Sequence, residues 1–166
     1  MSVIDEVLAA NQQYARTHEL RHLTPRPARK LAILTCMDTR LSIRTLGLNT
    51  GDAHIIRNAG GIVTDDTLRS LVVSHHLLGT AEIMVINHTD CGLMQANEDD
   101  LRANIQRRTG TAAVSPAFFY AFQNVDENVR QQLQKLRTHP WIPRDIPIRG
   151  FVYDVATGLL REIKDS

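Results

Sequence analysis

Cysteine is scarce in this chain: Cys36 and Cys91 are the only two among 166 residues. Two cysteines make a poor disulfide framework, and a reducing compartment keeps them as thiols. Their positions also lack the Cys-x-x-Cys spacing of a redox dithiol. Neither sign of charge is in excess, with 19 basic residues against 18 acidic ones. A nucleic-acid binder shows a basic excess or stripe, and this chain has neither. No apolar run approaches the ~20 residues that a transmembrane helix needs, so no membrane partner is expected. Asp5 and Glu6 stand where a secretion signal would be basic and then apolar, which predicts a cytoplasmic protein. Gly-x-Gly-x-x-Gly and Gly-Lys-Ser/Thr are both missing, so there is no phosphate-cradling loop. Internal repeats and low-complexity segments are missing too. Residues 1–166 therefore read as a single domain, and a hydrophobic content of 43% suits one core.

What is present is an alternation of apolar runs and amphipathic stretches. Val3, Ile4, Val7 and Leu8 share one helical face, which predicts a helix over 2–16. Pro25 and Pro27 mark a linker. Residues 30–36 form a continuous apolar run, the pattern of a strand buried on both faces of a parallel sheet. A second strand is expected over Ala53–Arg57, after a Gly51-Asp52 turn, with a loop at 58–61. Thr64 caps a helix with Asp65 and Asp66 in its first turn; Leu68, Leu71, Val72 and Leu78 form its inner stripe and Gly79 its end. The third strand is Glu82–Asn87. A polar helix follows over Asp99–Arg108. Residues 115–122 are aromatic-rich and ambiguous, although Pro116 would suit a first helical turn; Phe118, Phe119, Tyr120 and Phe122 read as core or dimer interface. Asn124, with Glu127 in the capping-box position, opens a helix lined by Val125, Val129, Leu133 and Leu136. Residues 139–147 make a stiff proline-containing loop, and 148–155 with 159–163 a terminal strand pair. Strands alternating with helices predict an α/β layer fold with a mostly parallel central sheet.

In such sheets ligands bind beyond the carboxyl ends of the strands. Cys36 lies at one such end, and His88 and Cys91 at another. Two thiolates and an imidazole are the donors zinc takes when a fourth position is left for chemistry. Each residue alone has a plainer reading, since a buried cysteine is commonly a small hydrophobe. Convergence of both cysteines on one sheet edge is what points to a metal. Asp38 and Arg40 follow Cys36 closely. As a surface ion pair they would contribute only ~0–1 kcal/mol. As a functional pair, Arg40 holds Asp38 ionised, and Asp38 either accepts a hydrogen bond from the attacking hydroxide or ligates the zinc itself. Gly60 and Gly61 are candidate substrate-binding residues, because glycine lets the backbone approach a small molecule. Asp90 reads as a cap for a helix beginning at Gly92, and His75 and His76 as surface or packing residues.

Cys-x-Asp-x-Arg at 36–40, Gly51-Asp52 followed by Ile56-Arg57-Asn58-Ala59-Gly60, and His88-Thr89-Asp90-Cys91-Gly92 resemble the β-class carbonic anhydrases, in that family's order and spacing. The chain is similar to the short bacterial branch. The resemblance implies zinc-dependent, reversible hydration of carbon dioxide to bicarbonate and a proton, one Zn2+ per chain. Cys36, His88 and Cys91 would be its ligands. Asp38 would either ligate the metal in a closed form or pair with Arg40 in an open one. It also implies a homodimer or dimer-based oligomer, with the 2–16 helix as a dimerisation arm. Two thiolates cancel the formal charge of Zn2+, so the activated water should be less acidic than the ~7 of a three-histidine site and activity should favour mildly alkaline pH. There are departures. Some members hold an inhibitory bicarbonate with a tryptophan three residues before the first zinc cysteine, an arginine and a tyrosine. Arg57 matches the arginine, but Ile33 stands at the tryptophan position, which argues against that regulation. The glutamine with which plant-type members bind substrate has no counterpart in 21–30. The alternative on the same zinc framework is hydrolysis of carbonyl sulfide or carbon disulfide.

Overall fold

Runs of aliphatic residues with no helical period make the strands at the centre of this molecule. A computed structural model describes residues 2–112 and 115–164. Five strands, β1 (Leu31–Cys36), β2 (Ala53–Asn58), β3 (Glu82–His88), β4 (Ile148–Tyr153) and β5 (Leu160–Ile163), form one sheet in the order β2-β1-β3-β4-β5. The first four are parallel and β5 runs antiparallel to β4. The expected α/β architecture and its C-terminal strand pair are both present.

Alternation along β1 sends Ala32 and Leu34 into one core and Ile33 into another. The larger core lies under α2 (Asp65–His76) and α4 (Val125–Thr138), where Leu71, Val129, Leu133 and Leu136 meet Val85 and Val152. The smaller one gathers Ile33, Leu48, Ile86 and Tyr153 on the opposite face. Gly150 lets α4 approach β4 closely, because a Cβ there would collide with Val129 and Leu133.

Capping follows the sequence in most places. Ser2 opens α1 (Val3–Arg16) with a reciprocal capping box to Asp5. Thr64 accepts from the Thr67 amide at the start of α2, and Asn97 caps α3 (Glu98–Thr109). Asn124 accepts from the Glu127 amide, but the expected box is only half formed: the Glu127 carboxylate turns to Arg130 at 3.4 Å. Helix α2 ends before Leu78, with Gly79 at φ 82° just beyond it. Strand β2 extends one residue further than expected, to Asn58, while β4 stops at Tyr153 where Asp154 starts a turn. Residues 115–122 form no helix. Tyr120 has φ 61°, and the Glu98 carboxylate takes the amides of Phe119 and Ala121, bonds that a helix would have made internally. Phe118 and Tyr120 are exposed, so this cluster is not core within one chain.

Candidate metal centre

Register decides which side chains meet. Cys36 ends β1 opposite Asn58 of β2, and His88 ends the neighbouring β3 opposite Tyr153 of β4. After His88 the chain turns through Asp90, at φ 55°, and brings Cys91 back under the same edge. The ligand atoms of Cys36, His88 and Cys91 all lie within 4.8 Å of one another, and all three residues are buried. Both cysteines are free thiols.

The donors fit a zinc ion in three respects. First, His88 Nδ1 donates to the Thr89 carbonyl at 2.8 Å, which turns the Nε2 lone pair toward the sulfurs. That Nε2 is buried without a hydrogen-bond partner. A buried polar atom with no partner costs free energy, and a metal removes the cost. Second, the Cys36 sulfur accepts the Gly60 amide at 3.4 Å. The Cys91 thiol, His88 and this amide favour the thiolate and hold the Cys36 thiol below its ordinary range, while its neighbour drives the Cys91 thiol above. Two thiolates this close are both stable only with a cation between them. Third, two sulfurs and one nitrogen are zinc's preferred soft and borderline ligands.

Asp38 stands outside this trio. Its Oδ1 accepts from the Arg40 amide at 2.9 Å and from Arg40 Nε at 3.0 Å, and its Oδ2 from the guanidinium at 2.8 Å. The Arg40 side chain, and then its backbone amide, hold the carboxyl well below the usual carboxylate range. Oδ2 is nevertheless only 3.9 Å from His88 Nε2. The Asp38 carboxylate thus borders the ligand pocket while belonging to Arg40.

Asp90, whose sequence neighbours suggest a helix cap, is instead a second anchor for Arg40. Its carboxylate accepts from Arg40 at 2.8 Å and its carbonyl at 3.0 Å, while the short turn at Gly92–Met94 has no side-chain cap. Arg57 donates to the carbonyls of Cys36, at 3.0 Å, and Asp38, at 2.6 Å, and so braces the loop between ligand and carboxylate. With Ile33 and Tyr153 it also borders a small, mostly apolar cavity. Gly60 and Gly61 are buried beside Cys36 with φ of 80° and 63°. The Gly60 amide is directed at sulfur. His75 and His76 bond to the carbonyls of Thr80 and Trp141, away from the site.

Comparison with known proteins agrees with this geometry. Residues 31–160 match the family described as Carbonic anhydrase. Beta-carbonic anhydrase 1 of Mycobacterium tuberculosis (strain ATCC 25618 / H37Rv) is 44% identical over 165 residues, covering 98% of this chain and 99% of that protein. The crystal structure of a carbonic anhydrase from Streptococcus mutans superposes with a TM-score of 0.92 at 45% identity, covering 99% of each chain. A carbon disulfide hydrolase of Acidianus sp. (strain A1-3) is 38% identical over 183 residues, covering 96% of this chain and 88% of that protein. Over nearly its whole length, and with a zinc-type ligand trio at the sheet edge, the chain belongs to the β-carbonic anhydrase family.

Proposed function

We propose that this chain hydrates carbon dioxide reversibly to bicarbonate and a proton, with one zinc ion held by Cys36, His88 and Cys91. The observation that carries the reading is the buried trio, with its partnerless His88 Nε2 3.9 Å from the Asp38 carboxylate. When bound, zinc supplies a Lewis acid that makes water nucleophilic near neutral pH.

The chain's own residues set up the rest. Asp38, kept ionised by Arg40, offers only acceptors. It accepts the remaining proton of the attacking water in a hydrogen bond and so turns an oxygen lone pair toward the carbon of the substrate. Arg40 is fixed in turn by Asp90, so the carboxylate is oriented as well as charged. Gly60 and Gly61 form the buried turn beside Cys36, and we assign their backbone to the wall against which the small, linear substrate sits. This arrangement is the open form. Were Asp38 to serve as a fourth zinc ligand, it would leave its pairing with the Arg40 side chain, which would be the closed form.

We further place 1–166 as one domain in the cytoplasm, where its two thiols stay reduced. Among the described residues no helix is long and apolar enough to cross a membrane. The functional unit we propose is a homodimer or a dimer-based oligomer. Helix α1 supports this: it buries none of its residues, and Val3, Ile4, Val7 and Leu8 are 56–74% exposed. An apolar helix face left in water calls for a partner surface.

Stopped-flow hydration of carbon dioxide on protein of known zinc content tests the reading. One zinc per chain with fast, chelator-sensitive turnover is the expected result. One zinc per chain with turnover only on carbon disulfide or carbonyl sulfide would shift the substrate to the sulfur analogues, as the Acidianus relative's name indicates for that protein. Protein that holds no zinc would overturn the reading.

A further inference from the structure

Three buried carboxamides run in a line from helix α4 to the metal centre. Gln132 Oε1 accepts the Val63 amide at 2.9 Å, and Gln132 Nε2 donates to Asn128 Oδ1 at 2.9 Å. Asn128 Nδ2 donates to Asn87 Oδ1 at 2.8 Å. Asn87 Nδ2 then donates to the carbonyls of Gly60, at 2.9 Å, and Gly61, at 3.3 Å. All three side chains are 1–4% exposed.

The direction of this line is fixed at both ends. A backbone N–H only donates and a carbonyl only accepts, so no amide in the series can flip without opposing two donors or two acceptors. Hydrogen bonds linked in one sense inside a low-dielectric core polarise one another. The last link grips the Gly60 carbonyl, and the amide of that same residue donates to the Cys36 sulfur. Contact at this end is close, since a Cβ on Gly61 would lie 2.7 Å from Asn87 Nδ2. Asn58 ties the far side of the turn through both polar groups of Ile62, but makes no bond to Gly60.

An N–H donated to a ligating sulfur draws charge from it and sets how strongly it binds a metal. We propose that Asn87, Asn128 and Gln132 are positioning residues of the metal centre, acting through the Gly60 amide on the Cys36 sulfur. The inference rests on Cys36 being a zinc ligand.

The test substitutes a spin-active cadmium isotope for zinc and reads the scalar coupling from the Gly60 amide proton, through sulfur, to the metal. Zinc affinity is measured alongside by competition with a chromophoric chelator. Wild-type protein should show the coupling. Asn128→Leu fills the space but breaks the line; it should lose the coupling and weaken zinc binding by about tenfold. Asn128→Ser is read the same way if the leucine variant does not fold. Ser74→Ala is the comparison, because Ser74 is a buried hydroxyl bonded to His54 and Thr80 near the opposite end of β2. It should lower Tm and leave coupling and affinity unchanged. A folded Asn128 variant with lowered Tm but wild-type coupling and affinity would overturn the inference alone. Wild-type protein that takes up neither metal would overturn the zinc reading with it.

Discussion

Asp38 has two competing attractions, the guanidinium it is bonded to and the ligand pocket 3.9 Å away. Arg40 wins here because it offers two side-chain N–H groups in a planar fork and a backbone amide besides. Removing the carboxylate should leave the metal in place and remove its orienting acceptor. Asp38→Ala should therefore retain one zinc per chain by elemental analysis and lose about 10²–10⁴-fold in carbon dioxide hydration. Full turnover in that variant would remove Asp38 from the mechanism. Arg57 acts one step further back, on the carbonyls of Cys36 and Asp38. Arg57→Met leaves both without that donor, which should lower stability by about 1–3 kcal/mol and reduce turnover with zinc retained. Arg57→Lys should restore little, because an ammonium lacks the fork that spans both carbonyls. Thermal melts and kinetics on the two variants check this together.

At the scale of elements, the tightest junction is α4 on β4. Gly150 exists because Val129 and Leu133 occupy the space of its missing side chain. Gly150→Ala should cost about 1–3 kcal/mol by forcing helix and strand apart, read as a shift in denaturant midpoint without loss of zinc. A second junction is electrostatic. The amides of Phe119 and Ala121 accompany a Glu98 carboxyl held below its ordinary 4.5, with the Phe119 amide the largest cause. A carboxyl with a depressed folded pKa stabilises the fold fully above its unfolded value, and that contribution is lost as pH falls through the folded value. Acidification below the ordinary value should thus loosen 118–121. The amide shifts of Phe119 and Ala121 should titrate together in wild-type protein and stay fixed in Glu98→Gln. Identical titration in both proteins would rule Glu98 out.

For the whole molecule, the decisive surface is the unpartnered apolar face of α1. Charges there cannot disturb a core to which the helix contributes no buried residue. Val7→Asp combined with Leu8→Asp should therefore convert the proposed dimer to monomer in sedimentation, while the β-sheet core melts cooperatively as before. A dimer that survives both substitutions would locate the interface elsewhere.

Much of the fold was legible because it rests on local rules. The run at 30–36 specifies a strand buried on both faces and 82–87 a second strand, and Thr64 and Asn124 mark helix starts through side-chain chemistry alone. The ligand trio was legible because Cys36 and His88 end strands, and Cys91 follows one, that a parallel sheet brings to one edge. The Asp38–Arg40 pair was legible because its members are two residues apart. Other features depended on contacts between segments that no spacing relates. Asp90 meets Arg40 across 50 positions, so its sequence neighbours suggest only a cap. Glu98 decides the path of 118–121 from another element, against the helical start that Pro116 suggests. Asn87, Asn128 and Gln132 read as one strand residue and two helix residues until packing aligns their amides. The sequence by itself determined most of the secondary elements, the sheet type and the metal donors, since periodicity, capping and ligand chemistry are local. Only the tertiary structure decided that Asp90 is a second anchor for Arg40 and what grips the Gly60 turn, because those contacts form where distant elements pack.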